Sequence, residues 1–266
     1  MRITILGSGS SGGVPMVGLG WGNCDPNNIK NVRLRSSLLI ETMGKTILID
    51  TSPDLRAQLL AASVTHIDAV IYTHAHADHL HGIDDLRGIN RAMSAPIPIY
   101  TDQTTLAEIE KRFAYALKPL PDDNKHFYFK PTLEAHTIVA GDTFDVCGVS
   151  VTCFDQDHGR SRTLGLRIGD FGYTTDLVDL SEAGFEVLAG IDTWVIGVFG
   201  PRPHATHVHV DAALEWIERV GPRQAVMTHL GPDLDYEVLQ NLLPNFVNAA
   251  FDGLQILLKD GKTGEI

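Results

Sequence analysis

The stretch THAHADH, residues 73–79, places His74, His76, Asp78 and His79 within six residues, straight after the apolar run 69–72. Ligand-type side chains at this density are hard to account for as packing. Each buried polar group needs a partner, and one cation satisfies several at once. Alternation along the chain aims His74 and His76 the same way, toward one metal, while Asp78 and His79 follow the turn and face a second. Three further residues of ligand type stand where an apolar run meets a loop, which is where scaffolded sites are built. They are His158 in FDQDHG, Asp176 in YTTD and His229 in VMTH. Mixed imidazole and carboxylate donors suit Zn2+, Mn2+ or Fe2+.

The elements that must hold these residues follow from hydrophobic pattern. Strands are expected at 2–6, 37–42, 46–50, 68–72 and 97–100, with Met43, Gly44 and Lys45 turning a hairpin. Residues 54–62 read as a helix opened by Ser52 before Pro53. Residues 104–117 carry Leu106, Ile109, Phe113 and Leu117 at helical spacing. The Pro-, Asp- and Lys-containing segment 118–135 reads as an exposed excursion. The second half predicts strands at 136–140, 143–147, 149–154, 163–168, 171–175, 193–198, 224–228 and near 254–258, with helices at 210–220 and 234–243. Strands flanked by helices in each half predict an α/β fold in which two sheets pack face to face under helices, a four-layer αββα sandwich. No linker divides the chain, so one domain over 1–266 is expected.

GSGSSG at 7–12 matches G-x-G-x-x-G after a strand, but the chain continues GVPMVGLG. So many glycines, with a proline, forbid the helix that a dinucleotide site requires. A loop whose backbone approaches the site closely is the better reading. The formal net charge of −12 disfavours broad binding to DNA or RNA, though one local phosphate pocket is compatible with it. Three cysteines without CxxC spacing exclude a disulfide scaffold. No run is long enough for a signal peptide or a membrane span, so a cytoplasmic protein is expected.

With these residues in order, the sequence resembles the metallo-β-lactamase fold superfamily, whose signature T-H-x-H-x-D-H it carries at 73–79. The resemblance implies two divalent metal ions, Mn2+ or Zn2+. His74, His76 and His158 would hold one, Asp78, His79 and His229 the other, and Asp176 would bridge. Asp50, ending TILID, matches an early aspartate that orients a ligand or its loop. Lactam-hydrolysing members carry a cysteine at the position of Asp176, and di-iron relatives a glutamate at that of His76. The segment FGPRPHATHVHVDAALEWIERVGPRQAVMTHLG, with GSGSSGGVP and KNVRLRSSLLIE, is similar to a phosphodiesterase branch. That branch contains the phosphoribosyl cyclic phosphate phosphodiesterase of phosphonate breakdown and resembles tRNA 3′-processing endonucleases.

Membership there implies hydrolysis of a small cyclic phosphate or nucleotide-like phosphodiester, with no membrane or DNA partner. A bridging hydroxide attacks phosphorus, Asp78 helps hold the metals, and His207 is the general acid for the departing oxygen. His204 is the expected substrate contact, and His209 is solvated or structural. Arg33 and Arg35 either steady a phosphate or form a solvated charged edge; Ser36 and Ser37 are weaker candidates for the same task. Cys24 stands alone and Pro232-Asp233 follow the last ligand, so the separate structural zinc of the phosphonate enzymes is not expected. A homodimer is a further expectation, because superfamily relatives often dimerise. Among the remaining histidines, His81 is expected behind the ligands or in solvent, and His66, His126 and His136 at the surface or in the core. Asp84, Asp85 and Arg87 are expected to pair beneath the metal loop. A tRNA endonuclease, a thioester hydrolase of glyoxalase II type and a non-catalytic metal or ligand carrier are the competing functions.

Overall fold

The computed structural model describes residues 1–121 and 127–258, so His126 lies outside the described residues. Its first sheet is built from β1 (Arg2–Gly7), β2 (Ser37–Thr42), β3 (Lys45–Ile49), β4 (Ala69–Ile71), β5 (Ile97–Thr101), β6 (Leu133–Thr137) and β14 (Gln255–Leu257). The second holds β7 (Thr143–Val146), β8 (Val149–Asp157), β9 (Arg162–Ile168), β10 (Phe171–Thr174), β11 (Thr193–Gly197), β12 (Gln224–Thr228) and β13 (Val247–Ala249). The orders are β14-β1-β2-β3-β4-β5-β6 and β13-β12-β11-β10-β9-β8-β7.

Each sheet is antiparallel on one side and parallel on the other. Strands β3 through β6 run parallel, as do β10 through β13. Parallel neighbours need crossovers, and the helices supply them. Helices α1 (Leu55–Ala61), α2 (Ala77–Leu80), α3 (Leu86–Met93) and α4 (Gln103–Leu117) serve the first sheet. Helices α5 (Glu182–Leu188), α6 (Val210–Val220) and α7 (Tyr236–Leu242) serve the second.

Period-two alternation divides each strand between two layers of core. Ile47 and Ile49 of β3 face the other sheet, joining Val151, Leu166 and Tyr173. Leu48, between them, faces α1, α3 and α4 through Leu55, Ile89 and Ile109. On the far side Trp194 and Met227 pack beneath Leu188, Ile217 and Leu239 of α5, α6 and α7. Three apolar layers between four structural ones make the αββα sandwich.

Several elements differ from their sequence reading. The hairpin turn is the pair Met43–Gly44, both at positive φ (52° and 73°), as a two-residue turn matched to strand twist requires. Asp54 rather than Ser52 holds the N-cap position of helix α1, without a capping side-chain bond, and the Ser52 hydroxyl accepts from the Asp54 N–H. Strand β6 begins at Leu133, inside the expected excursion, because Leu133 is buried against α4's Ile109 cluster. Helices α2, α3 and α5 and strand β13 were not anticipated, being short and carrying few periodic positions. Among the described residues no helix is long and apolar enough to cross a membrane.

Candidate metal centre

The site collects at the carboxyl ends of β3, β4, β8, β10 and β12. Asp50 follows β3, the 73–79 segment follows β4, His158 follows β8, Asp176 lies just beyond β10, and His229 follows β12. Open α/β sheets place ligands at this end, where chain direction delivers several loops to one place. Asp50, Asp176 and His229 have φ of 61°, 50° and 57°, a left-handed conformation uncommon outside glycine. Three such residues in one site show backbone held off its preferred angles to aim side chains inward.

The seven ligand candidates converge. Donor atoms of His74, His76, His158 and Asp176 lie within 4.8 Å of one another, and so do those of Asp78, His79, Asp176 and His229. Asp176 belongs to both groups. Its Oδ2 lies 3.6 Å from His74 Nε2 and 3.7 Å from His158 Nε2, and its Oδ1 lies 3.3 Å from His79 Nε2.

Bonds behind the rings fix which nitrogen faces in. His79 Nδ1 donates to Asp50 Oδ2 at 2.7 Å, and His158 Nδ1 to the Thr206 carbonyl at 2.7 Å. Thr73 Oγ1 gives its own hydrogen to Asp50 Oδ2, so it accepts from His74 Nδ1 at 3.0 Å. Ser36 Oγ gives its hydrogen to the Gly9 carbonyl and therefore accepts from His229 Nδ1 at 2.9 Å. In His74, His79 and His158 these bonds leave Nε2 as the nitrogen that faces the other donors, while His229 Nδ1 also lies 3.2 Å from Asp176 Oδ1. Four buried atoms, His74 Nε2, His79 Nε2, His229 Nε2 and Asp78 Oδ2, have no hydrogen-bond partner. Burying them unpaired is costly, and a divalent cation is the group that satisfies all four. The residues present fit a metal centre.

The electrostatics agree with this donor set. Burial pushes the His74 and His229 rings down toward the neutral, ligating form. Burial also works against charge on His79, but Asp176, Asp78 and Asp50 outweigh it and hold the ring's pKa well above the ordinary value, so a cation taking Nε2 displaces a proton that those carboxylates otherwise favour. Asp176 is held ionised against its burial by His229 and His79. Thr175 Oγ1 donates to Asp176 Oδ1 at 2.9 Å and fixes the shared carboxylate.

His207 lies over this cluster. Its ring centroid is 4.9 Å from that of His158 and 5.1 Å from that of His229, stacked on the latter, with Phe199 on it at 5.2 Å. Burial pushes His207 down to about 3. His204 is exposed, 5.3 Å from His207, and its Nδ1 accepts from the Thr206 N–H. His209 caps α6 by position, and makes no ring contact with the cluster among the described residues.

Some residues are placed otherwise than expected. Arg35 spends its guanidinium on Asp54, from Nε to Oδ2 at 2.8 Å and from Nη2 to Oδ1 at 2.7 Å, so its fork is not free for substrate. Arg33 is buried and donates to the Gly231 carbonyl and Asn31 Oδ1, tying loops together behind the site. Ser37 donates to the Asp50 carbonyl. Arg87 donates to the Phe129 carbonyl and Asp84 accepts from Tyr115, in place of a local pair. The remaining described histidines do not depart from their reading: His81, His66 and His136 are exposed, His81 accepting from Arg112, His66 pairing with Asp68 at 3.3 Å and His136 stacking on Tyr100.

The glycine-rich opening approaches the site from behind. A Cβ on Gly9 would stand 2.9 Å from the carbonyl oxygens of Arg33 and Leu34, too close for any side chain. No helix follows it. Sequence reasoning missed the roles of Thr73, Thr206 and Phe199, and the role of Ser36 behind His229. Thr73 was in plain view inside the motif; Thr206 acts through its carbonyl, which no sequence pattern marks.

Comparison with known proteins agrees with this geometry. Residues 45–230 match the model of the beta-lactamase superfamily domain. The crystal structure of a diphosphatase from the PhnP family superposes with a TM-score of 0.88 at 31% identity, covering 97% of this chain and 98% of that one. An octanoyltransferase of Porphyromonas gingivalis is 34% identical over 264 residues, which are 98% of this chain and 52% of that protein. The chain thus spans about half the length of that relative. Ribonuclease Z of Mycobacterium bovis is 25% identical over 258 residues, 87% of this chain and 86% of its own length. The chain belongs to the beta-lactamase superfamily domain family, within the branch that holds the PhnP-family diphosphatase.

Proposed function

We propose that this metal-dependent hydrolase cleaves a small phosphodiester, cyclic or nucleotide-like, at a two-cation site. The observation that carries the reading is the pair of four-residue donor groups joined by Asp176, with His207 stacked above them. His74, His76, His158 and Asp176 would hold one divalent ion, and Asp78, His79, His229 and Asp176 the other. When bound, such a pair supplies an acidified water and positive charge against the phosphoryl oxygens. Mn2+ and Zn2+ both suit the donors.

The chain's own residues do the rest. Asp50, Thr73, Thr206 and Ser36 hold the four rings in place through their Nδ1 atoms before substrate arrives. Phe199 and His229 each stack on His207. An anionic phosphate entering beside His207 replaces water and favours the ring's protonated form. His207 then holds the proton that passes to the departing oxygen as the P–O bond breaks.

The test is turnover by protein loaded with Mn2+ or Zn2+, offered bis-p-nitrophenyl phosphate, a glutathione thioester and a tRNA precursor in parallel. Release of p-nitrophenol, with the other two left intact, is the expected result. Cleavage of the thioester or the tRNA alone overturns the reading.

A further inference from the structure

Gln156 stands in β8, two residues before His158, and is an amide set into an apolar layer. It is wholly buried, as is Phe154 on the same face, whose ring belongs to the core around Leu188 and Trp194. Gln156 Oε1 has no hydrogen-bond partner among the described residues. Gly165 leaves it room: a Cβ there would stand 2.6 Å from Oε1 and run into the Phe154 ring. A buried amide with an unpaired acceptor costs stability that an aliphatic side chain would not. What the residue contributes must therefore come through its nitrogen.

Both hydrogens of Nε2 are engaged. One goes to Thr163 Oγ1 and the other to the Thr175 carbonyl, each at 2.9 Å. Thr163 is buried and faces Gln156 across the β8–β9 ladder. Having accepted from Gln156, its hydroxyl donates onward to the Asp176 carbonyl at 3.0 Å. The two side chains thus hold successive carbonyls of the turn that carries the carboxylate shared by both donor groups. That turn needs holding, because Asp176 sits at φ 50°, a left-handed conformation that persists only where its surroundings fix it. Strand β11 closes on it from the other side. A Cβ on Gly197 would stand 3.1 Å from Thr175 Cα and 3.2 Å from Asp176 N. The Val178 N–H donates to the Asp157 carbonyl at 2.7 Å and binds the same turn to the residue before His158.

We propose that Gln156 and Thr163 are positioning residues for Asp176. Through the Thr175 and Asp176 carbonyls they fix the turn that aims one carboxylate at two cations. The inference rests on the two-cation reading above. It has a signature that support of a single ring lacks: because Asp176 belongs to both donor groups, loosening its turn weakens both cations together. Ser36 touches only His229, so its loss acts on one group alone.

The experiment compares wild type, Thr163→Val, Thr163→Ser, Gln156→Met and Ser36→Ala by Zn2+ titration against a fluorescent chelator, with elemental analysis and with Tm of the metal-free proteins. Thr163→Val keeps the shape and removes the hydroxyl; Thr163→Ser keeps the hydroxyl. Thr163→Val and Gln156→Met should each weaken both cations about 10-fold or more, the usual worth of a partner behind a ligand. Thr163→Ser should stay within about threefold of wild type, and Ser36→Ala should weaken one cation by a comparable factor and leave the other. Gln156→Met carries the same expectation if Thr163→Val does not fold. A lower metal-free Tm with both affinities unchanged would mean that the pair only packs the strands, and overturns the inference. So does a Thr163→Ser protein that binds as weakly as Thr163→Val, or a loss confined to one cation. Wild type that takes up no cation overturns the two-cation reading itself, whereas two cations in wild type and in every variant at equal affinity overturn this inference alone.

Discussion

Asp50 Oδ2 lies 2.7 Å from His79 Nδ1, with both side chains wholly buried. The same carboxylate accepts the Thr73 N–H and hydroxyl, each at 2.8 Å. One residue at the end of β3 thus positions both the start of the metal loop and a ring at its far end. In Asp50→Asn the amide must turn its NH2 toward one of these donors. Metal affinity should fall about 10- to 100-fold, the usual worth of such a supporting partner. Competition against a fluorescent chelator measures it. Unchanged affinity in a folded variant would show that Asp50 holds the loop without tuning the ligand.

His207 touches the ligand rings without belonging to either donor group. His207→Ala should therefore lower kcat about 10²- to 10⁴-fold. Metal content, read by elemental analysis, should match wild type. Loss of metal together with activity would make His207 a ligand or a structural prop.

Arg35 and Asp54 join the start of β2 to the start of α1 through two side-chain bonds. The pair is partly exposed, so Arg35→Ala should cost only on the order of 1 kcal/mol in urea unfolding. KM for the diester should stay within twofold. A large rise in KM would return Arg35 to the substrate site.

The seven ligand candidates and Asp50 stood out in the sequence because their type and spacing are chemical, and each stands where an apolar strand ends. The sandwich was legible for a related reason: strands such as 37–42 and 224–228 are dense in apolar residues, and helix 210–220 has a clear polar face. What escaped depends on contacts distant in sequence. Arg35 looks free in RLRSS until Asp54 folds against it. Thr206 acts through a backbone oxygen, which any residue type would offer. Helices α2 and α3 are too short for periodicity to declare them, and are imposed by the crossover between β4 and β5.

Asp252 gives a pH dependence separate from the metal ligands. Its Oδ1 accepts the Ser8 N–H and hydroxyl, and its Oδ2 accepts the Leu34 N–H, pinning the glycine loop to the 33–36 segment. Burial pushes this carboxyl up to about 6, beyond what the Ser8 and Leu34 donors offset. Between about pH 4 and 6 the unfolded chain has released the Asp252 proton and the folded chain keeps it. The folded state then binds more protons, so wild-type stability falls as pH rises through that window. Asp252→Asn lacks the effect and loses one hydrogen bond instead. It should be the less stable protein at pH 4, and the gap should close by on the order of 3 kcal/mol by pH 7. Urea midpoints of both proteins across pH 4–7 decide it, and parallel curves would show that Asp252 is ionised in the fold throughout.

Metal removal tests the centre as a whole. The orphaned atoms of His74, His79, His229 and Asp78 cost stability until a cation takes them. A ligand that binds only the folded state stabilises it by about 2.7 kcal/mol at one hundred times its Kd. For a chain of this size that corresponds to a rise in Tm of roughly 5–10 °C. Dialysis against a chelator should lower Tm by this amount, and Zn2+ or Mn2+ should restore it. Asp176→Ala removes the ligand shared by both groups, so its Tm should no longer respond to either metal. An Asp176→Ala protein that still gains the full shift would mean that the cations bind elsewhere on the chain.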